Sequence, residues 1–172
     1  MPTGVRSMSR SGPVICHRGT DMHPFQDQDV AKTFERWPQE LRSRILVLRE
    51  MIFEVAAHTR GVGEIVETLK WNVPAYLTVK PKSGTTLRLE GNGQRGIYGL
   101  YVPCSTSLIE QCKEIYQKKF TYNKNRGLIF ELNSTIPENE LRHFIAMALT
   151  YHVKSGPNAT TFSRKQNSHE GL

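Results

Sequence analysis

Trp71, Tyr76, Tyr98 and Tyr101 fall close together in the chain, with Glu67 and Lys70 just before them and Lys124 and Arg126 further on. Aromatic walls with a few convergent polar groups are the usual make-up of a small-ligand pocket, and the lysines and arginine would favour an anion. Tyr98 and Tyr101 point to opposite faces if they share a strand, so only one can join a given pocket. The candidate ligand-binding set is Glu67, Lys70, Trp71, Tyr76, Tyr101, Lys124 and Arg126. The plainer reading makes Trp71 and one tyrosine core residues, and leaves Lys70 and Arg126 at a helix end and a turn.

A second grouping runs from Lys113 to Arg126, where Lys113, Lys118, Lys119, Lys124 and Arg126 interleave with Tyr116, Phe120 and Tyr122. Cations mixed with stacking rings suit a groove for single-stranded nucleic acid. An amphipathic helix followed by a solvated loop has the same composition, and Tyr116 would then be needed for packing, so this reading ranks below the first.

Carboxylates offer metal chemistry only weakly. Glu140-x-x-His143 has the spacing of half a di-iron site, because residues three apart share a helix face, but no second Glu-x-x-His follows. Glu50 with Glu54, and Glu64 with Glu67, could each hold a hard cation through oxygen. Arg49, Arg60 and Lys70 lie beside them and argue for ordinary ion pairs. A P-loop, a dinucleotide fingerprint, HExxH and GxSxG are all missing, so no catalytic residue, cofactor or resident metal is expected. Cys16, Cys104 and Cys112 lack CxxC spacing. They indicate neither a disulfide framework nor a zinc knuckle, and fit a reduced compartment.

The chain has 172 residues, 38% of them hydrophobic and 23% charged, which suits one soluble domain with tails. No apolar run is long enough for a bilayer span and no secretory h-region opens the chain, so a cytoplasmic location is expected. Net charge is +7, but the two tails contribute +2 each, which makes the overall basicity a weak pointer to nucleic acid.

These residues need elements to position them. Residues 1–25 and 155–172 are polar and aperiodic, and are expected to be disordered tails around a domain at 26–154. Asp29 to Arg36 reads as a short helix. Leu41, Ile45, Leu48, Ile52 and Val55 predict a long buried helix from Pro38 to about His58, with Leu46, Arg49, Phe53 and Ala56 widening its face. Glu64 to Lys70 is expected to make two more helical turns and deliver Trp71 into the core between helices and sheet, where Pro74 turns the backbone into strands. Strands follow at 75–80, 85–90 and 96–102, with a hairpin turn at Gly91-Asn92-Gly93. Next come a helix at 107–119, a loop at 122–127, a strand at 128–132 and a helix opened by Pro137. The order predicts an α+β fold, with helices packed on one face of a mostly antiparallel sheet that contains a three-stranded meander.

With those segments placed, the chain resembles the YdhG-like family, also called domain of unknown function 1801. The resemblance rests on Glu67-Thr-Leu-Lys-Trp-Asn-Val-Pro-Ala-Tyr76, then Gly99-Leu-Tyr101, Arg126-Gly127 with Ile129 and Phe130, and Ile136-Pro137. It spans about residues 27 to 153. Asn72 stands where the family has Gly, a place where Asn can still adopt left-handed geometry, and Arg126 stands where Lys is common. The resemblance implies a YdhG-like α+β fold. It also implies a possible iron role, since some members are described as frataxin-like intracellular iron chaperones; carboxylates such as Glu64 and Glu67 would then serve. The leading expectation is a non-enzymatic cytoplasmic binding protein for a small anionic ligand or a protein partner. Iron delivery and single-stranded nucleic-acid binding are the alternatives.

Overall fold

A computed structural model describes residues 22–153; of the tails expected at 1–25 and 155–172, all but residues 22–25 lie outside the described residues. The element order is α1 (Gln28–Glu35), α2 (Gln39–His58), β1 (Ile65–Lys70), β2 (Val73–Thr78), β3 (Leu87–Asn92), β4 (Ile97–Tyr101), α3 (Leu108–Tyr116), β5 (Thr121–Asn123), β6 (Gly127–Glu131) and α4 (Glu138–Leu149). All six strands form one antiparallel sheet in the order β1-β2-β3-β4-β6-β5. The fold is α+β, as the element order predicts. Among the described residues no helix is long and apolar enough to cross a membrane.

Helix α2 follows the sequence pattern closely. Leu41, Ile45, Leu48, Ile52 and Val55 are all buried, and they meet Leu87, Leu89, Tyr98 and Leu100 of the sheet in one core. Asp27 caps α1 by accepting from the Asp29 N–H at 2.8 Å, which satisfies one of the donors left free at a helix start. Removing the core side chains from water is the main stabilising term, at about 25 cal/mol per Å² of apolar surface.

Three expectations need correction. Within the stretch Glu64 to Lys70, Ile65–Lys70 is the strand β1 rather than a helix. Ile65, Glu67 and Leu69 share the inner face with their cross-strand partners Thr78, Tyr76 and Pro74. Trp71 is not in the core but is 88% exposed at the tip of the β1–β2 hairpin. The two-residue loop Trp71-Asn72 has φ of 56° and 60°, the geometry of a type I′ turn whose twist matches the strands it joins. Asn72 therefore does take the left-handed geometry open to it. Residues 22–25 are not a free tail either, because Phe25 packs against the core.

Smaller shifts occur elsewhere. The β3–β4 connection lies at residues 93–96, so Gly91 and Asn92 close β3 instead of forming the turn. The expected loop at 122–127 begins within the short strand β5, which pairs with β6.

Candidate functional site

The register separates the seven nominated residues into different places. Glu67 and Tyr76 sit directly opposite one another on the inner face of β1 and β2, and both are buried. Above them lies Arg49 of α2, with no exposed surface. Its Nε donates to Glu67 Oε1 at 2.7 Å and its Nη2 to Glu67 Oε2 at 2.9 Å. Nη1 donates to the His23 carbonyl and to Glu50 Oε1, both at 2.7 Å, and Nη2 also reaches the Pro24 carbonyl at 3.3 Å. Those contacts use all five guanidinium donors. The rings of Phe25 and Phe53 lie 4.2 Å and 4.9 Å from the guanidinium carbon, adding cation–π attraction.

Burial works against the charge on Arg49, but the hydrogen bonds and charge of Glu67 outweigh it and raise the guanidinium pKa further. Burial, and then the Glu67 carboxylate, push the Tyr76 phenol well above its ordinary value. Even so, Tyr76 Oη makes no hydrogen bond of acceptable geometry among the described residues. This assembly is a structural clasp, because both carboxylate oxygens of Glu67 are spoken for. Glu67 is buried with its charge met by Arg49, whereas Glu64 is exposed, so the two carboxylates sit in different environments.

The other carboxylate groupings are similarly engaged. Glu50 pairs with Arg49 and His23, and Glu54 with Arg142. Glu140 pairs with Lys119 at 3.2 Å; its own backbone hydrogen bond and then Lys119 hold its pKa below the usual value. His143 Nδ1 meets the Tyr116 hydroxyl. Among the described residues, no three His, Cys, Asp or Glu side chains gather in a way that could hold a metal ion.

Lys70 and Trp71 stand at the exposed hairpin tip, apart from the clasp. Lys124 and Arg126 lie in the β5–β6 turn, where Lys113 Nζ reaches the Lys124 carbonyl at 3.3 Å and Asn125 Oδ1 at 3.4 Å. These three cations form no salt bridge with an acidic side chain among the described residues.

Tyr101 is the nominated residue that lines a cup. Strand alternation sends Tyr98 and Leu100 into the core and turns Tyr101 to the other face of the sheet. That face carries Val66, Val73, Leu77, Ile97 and Ile129, all half-buried, yet none belongs to the core cluster or packs against it. One register row crosses it through Thr68, Ala75, Arg88, Tyr101, Gly127 and Asn123.

The Tyr101 ring leans over two glycines. A Cβ at Gly99 would stand 2.9 Å from its Cε2, and one at Gly127 would stand 2.7 Å from its Cδ1. Any side chain at either position would displace the ring. The space beside it is a shallow cup of about 380 Å³, bordered by Glu90, Asn92, Arg95, Ile97, Asn123 and Ile129 as well as Tyr101. Arg88 is the direct cross-strand neighbour of Tyr101.

Such a surface can stack a planar group on the phenol, bind an anion through Arg88 or Arg95, and read polar edges with Glu90, Asn92 and Asn123. Sequence reasoning named Tyr101 but missed its neighbours. The missed signal was available in Leu87 and Leu89: once these face the core, Arg88 and Glu90 must face outward. Comparison with known proteins supplies no relative, since no family model, curated protein or solved structure matches the chain.

Proposed function

We propose that this chain is a non-enzymatic binding protein that holds a small planar anion, of the nucleotide type, in the cup around Tyr101. The observation that carries the reading is the Tyr101 ring seated over Gly99 and Gly127, beside Arg88, on a sheet face that no described helix covers. A ring that needs two glycines beneath it is held in one orientation, which lowers the entropic cost of stacking a ligand. The kinship with the YdhG-like family belongs to this proposal. Its longest motif, Glu67 to Tyr76, forms one hairpin with its first and last residues paired. A cytoplasmic setting fits the free thiols of Cys104 and Cys112.

Adenosine monophosphate is the probe of choice, titrated into isotope-labelled protein and followed by amide shifts. Shifts centred on Ile97, Tyr101, Gly127 and Ile129, with a dissociation constant below about 1 mM, are expected. Tyr101→Ala and Arg88→Ala should each weaken binding at least about tenfold, a loss of about 1.4 kcal/mol. Shifts elsewhere, or shifts indifferent to both substitutions, would remove the reading.

A second reading is favoured by the cations at the edge of this face. Lys113, Lys124 and Arg126 gather at the turn whose next residue, Gly127, pairs with Tyr101. They would serve the backbone of a single strand whose base stacks on Tyr101. Oligonucleotides binding far more tightly than the mononucleotide, with steep salt dependence, would select it.

A further inference from the structure

The helical layer carries a second concave surface that shares no residue with the cup. Ser43, Leu46, Val47, Glu50, Met51 and Glu54 make a single stripe along α2, at the spacing of one helix face. Glu138 and Arg142 of α4 face them, Met22 closes one side, and the groove between holds about 440 Å³. Its floor is apolar and adaptable. Met22 and Val47 are 53% and 46% exposed, and Leu46 and Met51 continue the surface inward. Methionines re-pack around irregular partners more readily than branched side chains do.

The rim is acidic. Glu50, Glu54 and Glu138 border the groove; Arg142, the one cation lining it, pairs with Glu54 at 2.7 Å, and Glu50 shares the buried Arg49 with Glu67, which leaves the rim net negative. Glu138 has no ion-pair partner among the described residues. A net negative groove on a chain of net charge +7 is a local reversal of sign, and reversals of this kind select partners by charge. Two helices flanking an apolar cleft present the surface that a third helix fills with residues at i, i+3, i+4 and i+7. The α2 stripe from Ser43 to Glu54 is about 16 Å long at 1.5 Å per residue, or three turns.

We infer that the α2–α4 groove is a docking site for a basic amphipathic helix of a partner protein. The apolar stripe of that helix lies on Met22, Leu46, Val47 and Met51, and a flanking lysine or arginine meets Glu138, the rim carboxylate with no ion-pair partner among the described residues. Arg142 stays on Glu54 and keeps the two helices of the groove in register.

The test uses the full chain and two fluorescent peptides of about 18 residues, five helical turns. Both carry leucines at helical spacing; one has lysines on the flanks and the other has glutamates. The lysine peptide should bind, with affinity falling at least about tenfold as salt rises from about 0.05 to 0.5 M and exposed charges are screened. Val47→Asp and Glu138→Lys should each weaken it by a similar factor. Both positions are exposed, so both variants should still unfold cooperatively above the assay temperature, Val47→Asp close to the wild type and Glu138→Lys lower because it puts a positive charge in the first turn of α4; a folded variant that no longer binds separates lost docking from lost folding.

Equal binding of the glutamate peptide, no binding of the lysine peptide, or indifference to both substitutions would overturn the assignment. If the lysine peptide bound only after residues 1–21 were deleted, the chain's own amino-terminal segment would be the occupant. A dimer in sedimentation that Val47→Asp dissociates would give the groove to a second copy. Either result would overturn the partner assignment.

Discussion

The base and the tip of the β1–β2 hairpin solve opposite problems. At Glu67 the chain buries a carboxylate, and it succeeds because Arg49 comes down from α2 with every donor satisfied. At Trp71, four residues on, it exposes an indole and holds it at φ 56°, a conformation that costs an L-residue about 1–2 kcal/mol. The first site places polar groups where apolar ones are usual, and the second does the reverse. Each residue is tolerated for a different reason: Glu67 is specified by what packs on it, whereas Trp71 is fixed by the backbone twist of the strands it joins and draws little from its own side chain.

The strongest test of this contrast is Arg49→Ala. It would strand Glu67 without a counter-charge and release the carbonyls of His23 and Pro24, so urea unfolding should show a loss of about 3–5 kcal/mol. Arg49→Met combined with Glu67→Leu should recover most of it, because replacing both members of a buried pair by apolar groups is often neutral or better. If the double variant stays as unstable as Arg49→Ala, the clasp contributes through its grip on residues 23 and 24 and not through the ion pair.

At the tip the expected sign is reversed. Trp71→Gly removes a side chain with almost no buried surface and relieves a left-handed backbone, offset in part by the greater freedom of glycine in the unfolded chain. A gain of about 1 kcal/mol in the same urea experiment is expected. A loss would mean that the indole contributes packing after all, and the two ends of the hairpin would cease to differ in kind.

The contrast also explains what could be seen in the sequence. The five apolar residues of α2 declared their face because each alone prefers burial, and the three-stranded meander followed from alternation and turn residues. β1 did not declare itself. Ile65 and Leu69 are four apart, which suits one face of a helix as well as one face of a strand, and the strand reading requires Glu67 to point inward. A buried carboxylate makes sense only when Arg49, eighteen positions earlier, is known to sit above it.

Trp71 misled for the complementary reason. A large aromatic residue is normally an anchor, and Trp-Asn is not a turn signature, so its place was decided by strand pairing that the local sequence does not encode. At the candidate site Tyr101 was legible as an aromatic on a strand. Alternation with Leu87 and Leu89 puts Arg88 on the outer face, but its place beside Tyr101 was not legible, because it comes from pairing between strands β3 and β4, and register is a property of two segments together.

The smallest effect expected at neutral pH separates the clasp from its surroundings. Tyr76 lies in the same buried group, opposite Glu67, but its hydroxyl has no hydrogen-bond partner of acceptable geometry among the described residues. Tyr76→Phe should therefore change stability at pH 7 by no more than about 0.5 kcal/mol, or raise it slightly, since deleting an unsatisfied buried hydroxyl removes a desolvation cost. The pH dependence has a definite sign. Burial and the Glu67 charge raise the Tyr76 phenol well above its ordinary value, so the folded chain keeps a proton that the unfolded chain loses once pH passes about 10. Unfolding then releases a proton, and stability falls with rising pH above that point. The phenylalanine variant lacks this contribution, and its stability should decline less steeply on the alkaline side. A loss of more than about 1.5 kcal/mol at pH 7 would instead mean that Tyr76 Oη donates to Glu67 in solution, a charge-assisted bond of that strength, and the clasp would then be a triad of Arg49, Glu67 and Tyr76.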